Sequence, residues 1–106
     1  MTQTEFYLIF EQQVKRCEET LLNKAKEYTG NSPDRLSAFK TAAALQECTP
    51  ERALAGMMAK HIISIYDMCF SEQADYDQSI WNEKITDTLN YLFLLNALVR
   101  EEGSHE

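Results

Sequence analysis

Glycine and proline are scarce in this chain, with three Gly and two Pro among 106 residues. So few turn-formers and backbone breakers leave little for the tight hairpins of an all-β fold. The Ala, Leu, Glu and Lys that fill their place favour helices. Basic residues are also short: ten Lys and Arg stand against seventeen Asp and Glu, for a net charge of −7. A protein that grips DNA or RNA along its length needs a cationic face to neutralise phosphates, so long nucleic acid is not the expected partner. A single nucleotide stays open, held by a local cluster of Lys and Arg or through Mg²⁺. Cys17, Cys48 and Cys69 are odd in number and form no CxxC pair, which reads as reduced thiols in a cytoplasmic protein. No apolar run approaches the ~18 residues of a membrane helix, and MTQTEFYLIFEQQ lacks the basic start and long apolar core of a secretory leader. Neither a membrane nor an export route is expected.

What is present is helical periodicity. Phe6, Phe10, Val14, Cys17, Leu21, Ala25 and Tyr28 recur every three or four residues, which predicts a first helix over Thr4–Tyr28 capped by Thr4 and stopped by Gly30. Ser32-Pro33-Asp34-Arg35 and Thr49-Pro50-Glu51-Arg52 repeat one pattern of hydroxyl, Pro, acid and Arg, each reading as a helix start. They predict a short Ala-rich helix from Pro33 to about Gln46, with Leu36, Phe39 and Ala43 inward, and a longer one from Pro50 to about Phe70. Helix N-termini also accept anions, so a duplicated phosphate site is the functional reading of the pair. The polar stretch Ser71–Gln78 predicts a loop. After it, Trp81, Ile85, Thr88, Leu92, Leu95 and Val99 form a seam on a last helix capped by Asp77 or Ser79. Beyond Asn90 that helix is apolar almost all round, which predicts that others wrap it. The whole reads as one all-α domain over 1–106, a bundle of three long helices and one short one, with 1–3 and 101–106 frayed. A chain this size buries only roughly 60–65% of its unfolded surface, so a homo-oligomer is expected.

Two polar stripes cross helices otherwise fit for an interior: Lys60, Ser64 and Asp67 with His61 beside them, and Glu83, Asp87 and Asn90. Charges there must be paired or must hold an ion or a ligand. The plain structural reading pairs Lys60 or Lys84 with Asp67 or Asp87. The functional one makes an oxygen-rich site suited to Mg²⁺, with Lys60 meeting phosphate. Walker-type and GxGxxG loops are absent, as are zinc spacing and a nucleophile elbow. Any phosphate recognition therefore falls to side chains and helix ends, with Tyr and Trp as stacking surfaces.

Lys24–Gly30 (KAKEYTG), Asp34–Lys40 (DRLSAFK), Thr49–Met68 (TPERALAGMMAKHIISIYDM) and Trp81–Leu95 (WNEKITDTLNYLFLL) together resemble small phage and prophage proteins. Those are similar to the nucleotide-modification-associated domains and, more distantly, to MazG-type all-α nucleotide pyrophosphohydrolases. The resemblance implies an oligomeric, nucleotide-handling helical protein of phage origin, acting in the host cytoplasm. Ligand contacts are then expected from Tyr28, Arg35, Lys40, Lys60, His61, Ser64, Lys84 and Asn90, and Mg²⁺ ligands from Glu27, Asp67, Glu83 and Asp87. Lys84 stands where the MazG pattern has a Glu three before Asp87, and Glu18-Glu19 is followed by Leu22 rather than a further acid. The expectation is therefore a binder that sequesters a host signalling nucleotide, ahead of a Mg²⁺-dependent pyrophosphohydrolase or a helical interaction protein without a ligand.

Overall fold

The computed structural model describes residues 1–30, 32–71 and 76–103, without the side chains of Lys26, Tyr28 and Glu102. Among the described residues there are four helices and no strand: α1 (Gln3–Thr29), α2 (Ser37–Gln46), α3 (Pro50–Phe70) and α4 (Gln78–Gly103). None is long and apolar enough to cross a membrane. α4 continues past Glu101, where fraying is expected from sequence, and residues 104–106 lie outside the description.

Local chemistry sets each helix end. The cap of α1 lies two residues before the expected one. Thr2 Oγ1 accepts from the Glu5 amide at 3.1 Å and Glu5 Oε1 accepts from the Thr2 amide at 3.1 Å, a reciprocal capping box that displaces Thr4 from the role. At the other end Gly30 takes the left-handed φ of 57°, as a C-terminal stop requires. The two Pro motifs part company. Thr49 Oγ1 accepts from the Arg52 amide at 3.2 Å and Pro50 opens α3 directly. At the first motif the Ser32 hydroxyl accepts from the Asp34 amide and the Asp34 carboxylate from the Leu36 amide. The Ser32 contact is one a helix cap would make, but the Asp34 carboxylate takes the Leu36 amide that a helix from Pro33 would give to the Ser32 carbonyl, and α2 begins only at Ser37.

α3 and α4 pack antiparallel. Leu54, near the start of α3, shares the core with Leu98, near the end of α4, while His61 in mid-α3 meets Asp87 and Tyr91 further back along α4. Leu36 and Phe39 of the α2 segment complete that core, and Met57, Leu94 and Leu95 pack around it. α1 meets α4 around Thr86: Gln13 Nε2 donates to Thr86 Oγ1 at 2.9 Å, beside the buried Cys17.

The seam expected on α4 is rotated. Its buried residues are Thr86, Asn90 and Leu98, whereas Leu92 is 48% and Val99 54% exposed. Thr86 turns inward where α1 crosses with Gln13 to pair with it, whereas Asn90 turns inward with no such partner among the described residues. The apolar residues on the far side of α4, Leu92, Phe93 and Val99, are left uncovered.

Candidate functional site

Where the helices converge they leave a partly enclosed chamber of about 60 Å³, bounded by Thr20, Leu21 and Lys24 of α1, Arg35 and Phe39, Met57 and His61 of α3, and Asp87, Asn90, Tyr91 and Leu94 of α4. A second space of about 340 Å³ adjoins it as an open groove between α1 and α4, lined by Arg16, Glu19, Asn82, Glu83 and Thr86. Thr20, Lys24 and Asp87 belong to both walls. The chamber alone has room for on the order of two waters. Chamber and groove together reach the ~300–1,000 Å³ usual for small-molecule sites.

The chamber is mostly apolar, and its few polar atoms are not spent on one another. Asn90 is 5% exposed, yet neither its amide nitrogen nor its amide oxygen has a hydrogen-bond partner among the described residues. Arg35 Nη1 is buried and equally unpartnered, while its Nη2 donates to the Leu21 carbonyl at 3.3 Å. His61 Nδ1 has no hydrogen bond either: its nearest carboxylate, Asp87 Oδ2, stands 4.0 Å away, and its ring lies 5.2 Å from that of Tyr91. One turn before Asn90, Thr86 is as buried but satisfied by Gln13. Each orphaned buried polar group costs about 1–3 kcal/mol, and such groups in a native fold call for an explanation. Here the three residues that carry them all line the same chamber.

Lys24 Nζ lies 3.7 Å from Asp87 Oδ1, a half-exposed pair of small energetic weight. Burial pushes the His61 imidazole below its ordinary value; Asp87 opposes this, and Lys60, Lys84 and Lys24 add to it. At neutral pH the imidazole is uncharged, and Lys24 and Arg35 outnumber Asp87. The chamber is thus locally cationic inside an acidic chain, which favours an anionic guest. The histidine also sets a pH dependence. The unfolded chain takes up this proton at higher pH than the folded one does, so the stability tied to this histidine is present in full above pH 6.5 and is lost as pH drops towards the folded-state value. Urea unfolding at about pH 7.5 and about pH 5.5 is expected to show the lower midpoint at the acidic end, and His61→Gln to shrink that difference.

Of the residues expected to bind a ligand, Arg35, His61 and Asn90 converge on the chamber. Lys40 does not: it donates to Asp34 at 2.6 Å and pairs with Glu101. Lys60 is exposed on α3, and Ser64 and Lys84 are half-buried outside both linings. The side chain of Tyr28 lies outside the described residues. Of the expected metal ligands, Asp87 and Glu83 line the groove, where Glu19 joins them, while Asp67 and Glu27 are exposed elsewhere. Among the described residues no three His, Cys, Asp or Glu side chains come close enough to hold one ion. The four acids are not gathered because Asp67 and Glu27 lie exposed away from the groove that Glu83 and Asp87 share. Sequence reasoning missed Lys24, Arg16 and Thr20 as site residues. Lys24 carried a signal, since it extends the inward row Cys17–Leu21 at i+7, where an unexplained charge stands out. Compared with protein-family models, curated proteins and solved structures, the chain matches none.

Proposed function

We propose that this chain is a nucleotide-binding protein whose site is the joined chamber and groove, and that it retains its ligand rather than converting it. The observation that carries the reading is the buried Asn90 amide, with both polar atoms unpartnered among the described residues. A side-chain amide offers a donor and an acceptor side by side, the pattern that matches a heterocyclic base edge. Phe39 and Tyr91 supply aromatic walls beside it, and Arg35 Nη1 and His61 Nδ1 supply two further unspent groups. The base edge enters the chamber, and a phosphate meets Lys24 at its mouth; beyond it the groove sets Arg16 among the carboxylates of Glu19, Glu83 and Asp87. The resemblance to nucleotide-handling phage proteins points the same way, to capture of a host signalling nucleotide by an oligomer of this chain. No hydrolytic step is assigned, because of the expected Mg²⁺ ligands only Glu83 and Asp87 border the site.

Thermal melting with a panel of nucleoside mono-, di- and triphosphates and cyclic dinucleotides, in the presence of a chelator, tests this. At least one member is expected to raise the melting temperature, by the equivalent of about 2.7 kcal/mol once its concentration reaches 100 times Kd. Arg35→Met should remove that response. A panel in which nothing stabilises the protein overturns the reading. Release of phosphate or pyrophosphate on adding Mg²⁺ would replace retention by hydrolysis.

A further inference from the structure

Four buried polar atoms of residues that line the chamber have no hydrogen-bond partner among the described residues: Arg35 Nη1, His61 Nδ1 and both amide atoms of Asn90. They come from three segments, the approach to α2, then α3 and α4. Three of the four leave their hydrogen-bonding sense open. A half-turn of the Asn90 amide exchanges donor for acceptor, and a neutral imidazole carries its proton on either nitrogen. The fourth has no such freedom, because a guanidinium only ever donates. Arg35 is also anchored, its Nη2 donating to the Leu21 carbonyl at 3.3 Å. No carboxylate among the described residues lies within 4.0 Å of it. Whatever enters must therefore bring an acceptor to Arg35, while Asn90 adapts to the guest.

That asymmetry sorts the bases. A chamber of about 60 Å³ admits one edge of a base rather than its whole ring system, so a single edge has to serve Asn90 and Arg35 together. Adenine fails. Each of its two pairing edges offers one amino N–H and one ring nitrogen, and the Asn90 amide uses both. Arg35 is left facing an amine or a C–H. Guanine succeeds. Its O6 has two lone pairs, one for the Asn90 amide nitrogen and one for Arg35 Nη1. Its N1–H then meets the Asn90 oxygen and its amino group meets His61 Nδ1. Hypoxanthine, cytosine and uracil also carry a ring carbonyl on the pairing edge.

We infer that the ligand's base bears a ring carbonyl, that Arg35 grips this oxygen, and that adenine nucleotides are refused. This deepens the nucleotide reading and rests on it. Arg35 is the residue that sets the specificity, because Asn90 alone would accept either kind of edge.

Titration calorimetry of the full chain tests it, with nucleotides that share one sugar and one phosphate chain and differ only in base: guanine, hypoxanthine, cytosine, uracil and adenine. The tightest of them is expected to carry a carbonyl. Adenine is expected to bind at least about 10-fold more weakly, the loss that follows from one charged hydrogen bond left unmade in a buried site. Hypoxanthine against adenine isolates the cause, since the two differ only at position 6 and the hydrogen it places on N1. This comparison needs no variant. Arg35→Gln, whose amide can turn to accept, is expected to narrow the gap. A chain that binds none of the set overturns the nucleotide reading and this inference with it. Binding in which adenine comes within about 10-fold of the tightest member, or a gap unchanged in Arg35→Gln, overturns this inference alone.

Discussion

Replacing Asn90 by leucine is expected to stabilise the ligand-free protein and to abolish its response to nucleotide. The two effects have one cause. Asn90 is buried with neither amide atom partnered among the described residues, so the folded chain bears the desolvation of both without compensation. Leucine has nearly the same shape and nothing to desolvate, and it would sit among Met57, Tyr91 and Leu94. Relieving one orphaned group is worth about 1–3 kcal/mol, and in a domain of this size each kcal/mol moves the melting temperature by about 4–8 °C. Melting curves with and without ligand report both effects at once. A structural asparagine would give the opposite sign, because its loss would lower the melting temperature of the empty protein. Thr86→Val is the internal comparison. That hydroxyl accepts from Gln13, so its removal strands the Gln13 amide and should destabilise.

The largest loss of stability is expected from Leu98→Ala. Leu98 is fully buried against Leu36, Phe39 and Leu54, and truncating a leucine in such a setting removes contacts and leaves a void costing ~2–5 kcal/mol. Against a total stability of ~5–15 kcal/mol for a native domain, that is a substantial fraction. Leu92→Ala, at a position 48% exposed, should cost less than about 1 kcal/mol. Urea unfolding of the two variants separates the observed rotation of α4 from the one its apolar periodicity suggests. Equal losses would restore the Leu92 seam.

The helices were legible because their signals are local. Thr49-Pro50, Gly30 and the inward trio Leu36, Phe39 and Ala43 act over a few residues, and the structure uses each of them as read. The start of α2 was not legible, since Ser32 and Asp34 can serve either as caps or as turn acceptors and only the path of the chain into α2 decides. The rotation of α4 was hidden for a different reason. Apolar residues surround that helix after Asn90, so the seam through Leu92 and Val99 competes with an equally apolar side through Tyr91, Leu94 and Leu98. What turns Thr86 and Asn90 inward is contact with α1 and α3, which no periodicity within α4 encodes. The site was half visible for the same reason: Asn90, His61 and Arg35 stood out as polar residues on core-bound or helix-start positions. Lys24 became part of it only when α1 was laid across α4.

The Lys24–Asp87 pair stands where the chamber opens into the groove, and its two side chains form part of both walls. A molecule that occupies the two spaces together must pass between them, so Lys24 exchanges a carboxylate for the newcomer's negative charge instead of gaining a neighbour from bare water. Dissolved salt screens the old attachment as well as the new one. Affinity should accordingly fall only gently with ionic strength, far less than for a site whose cations wait unpaired, and the partition makes acidic guests selective by displacement.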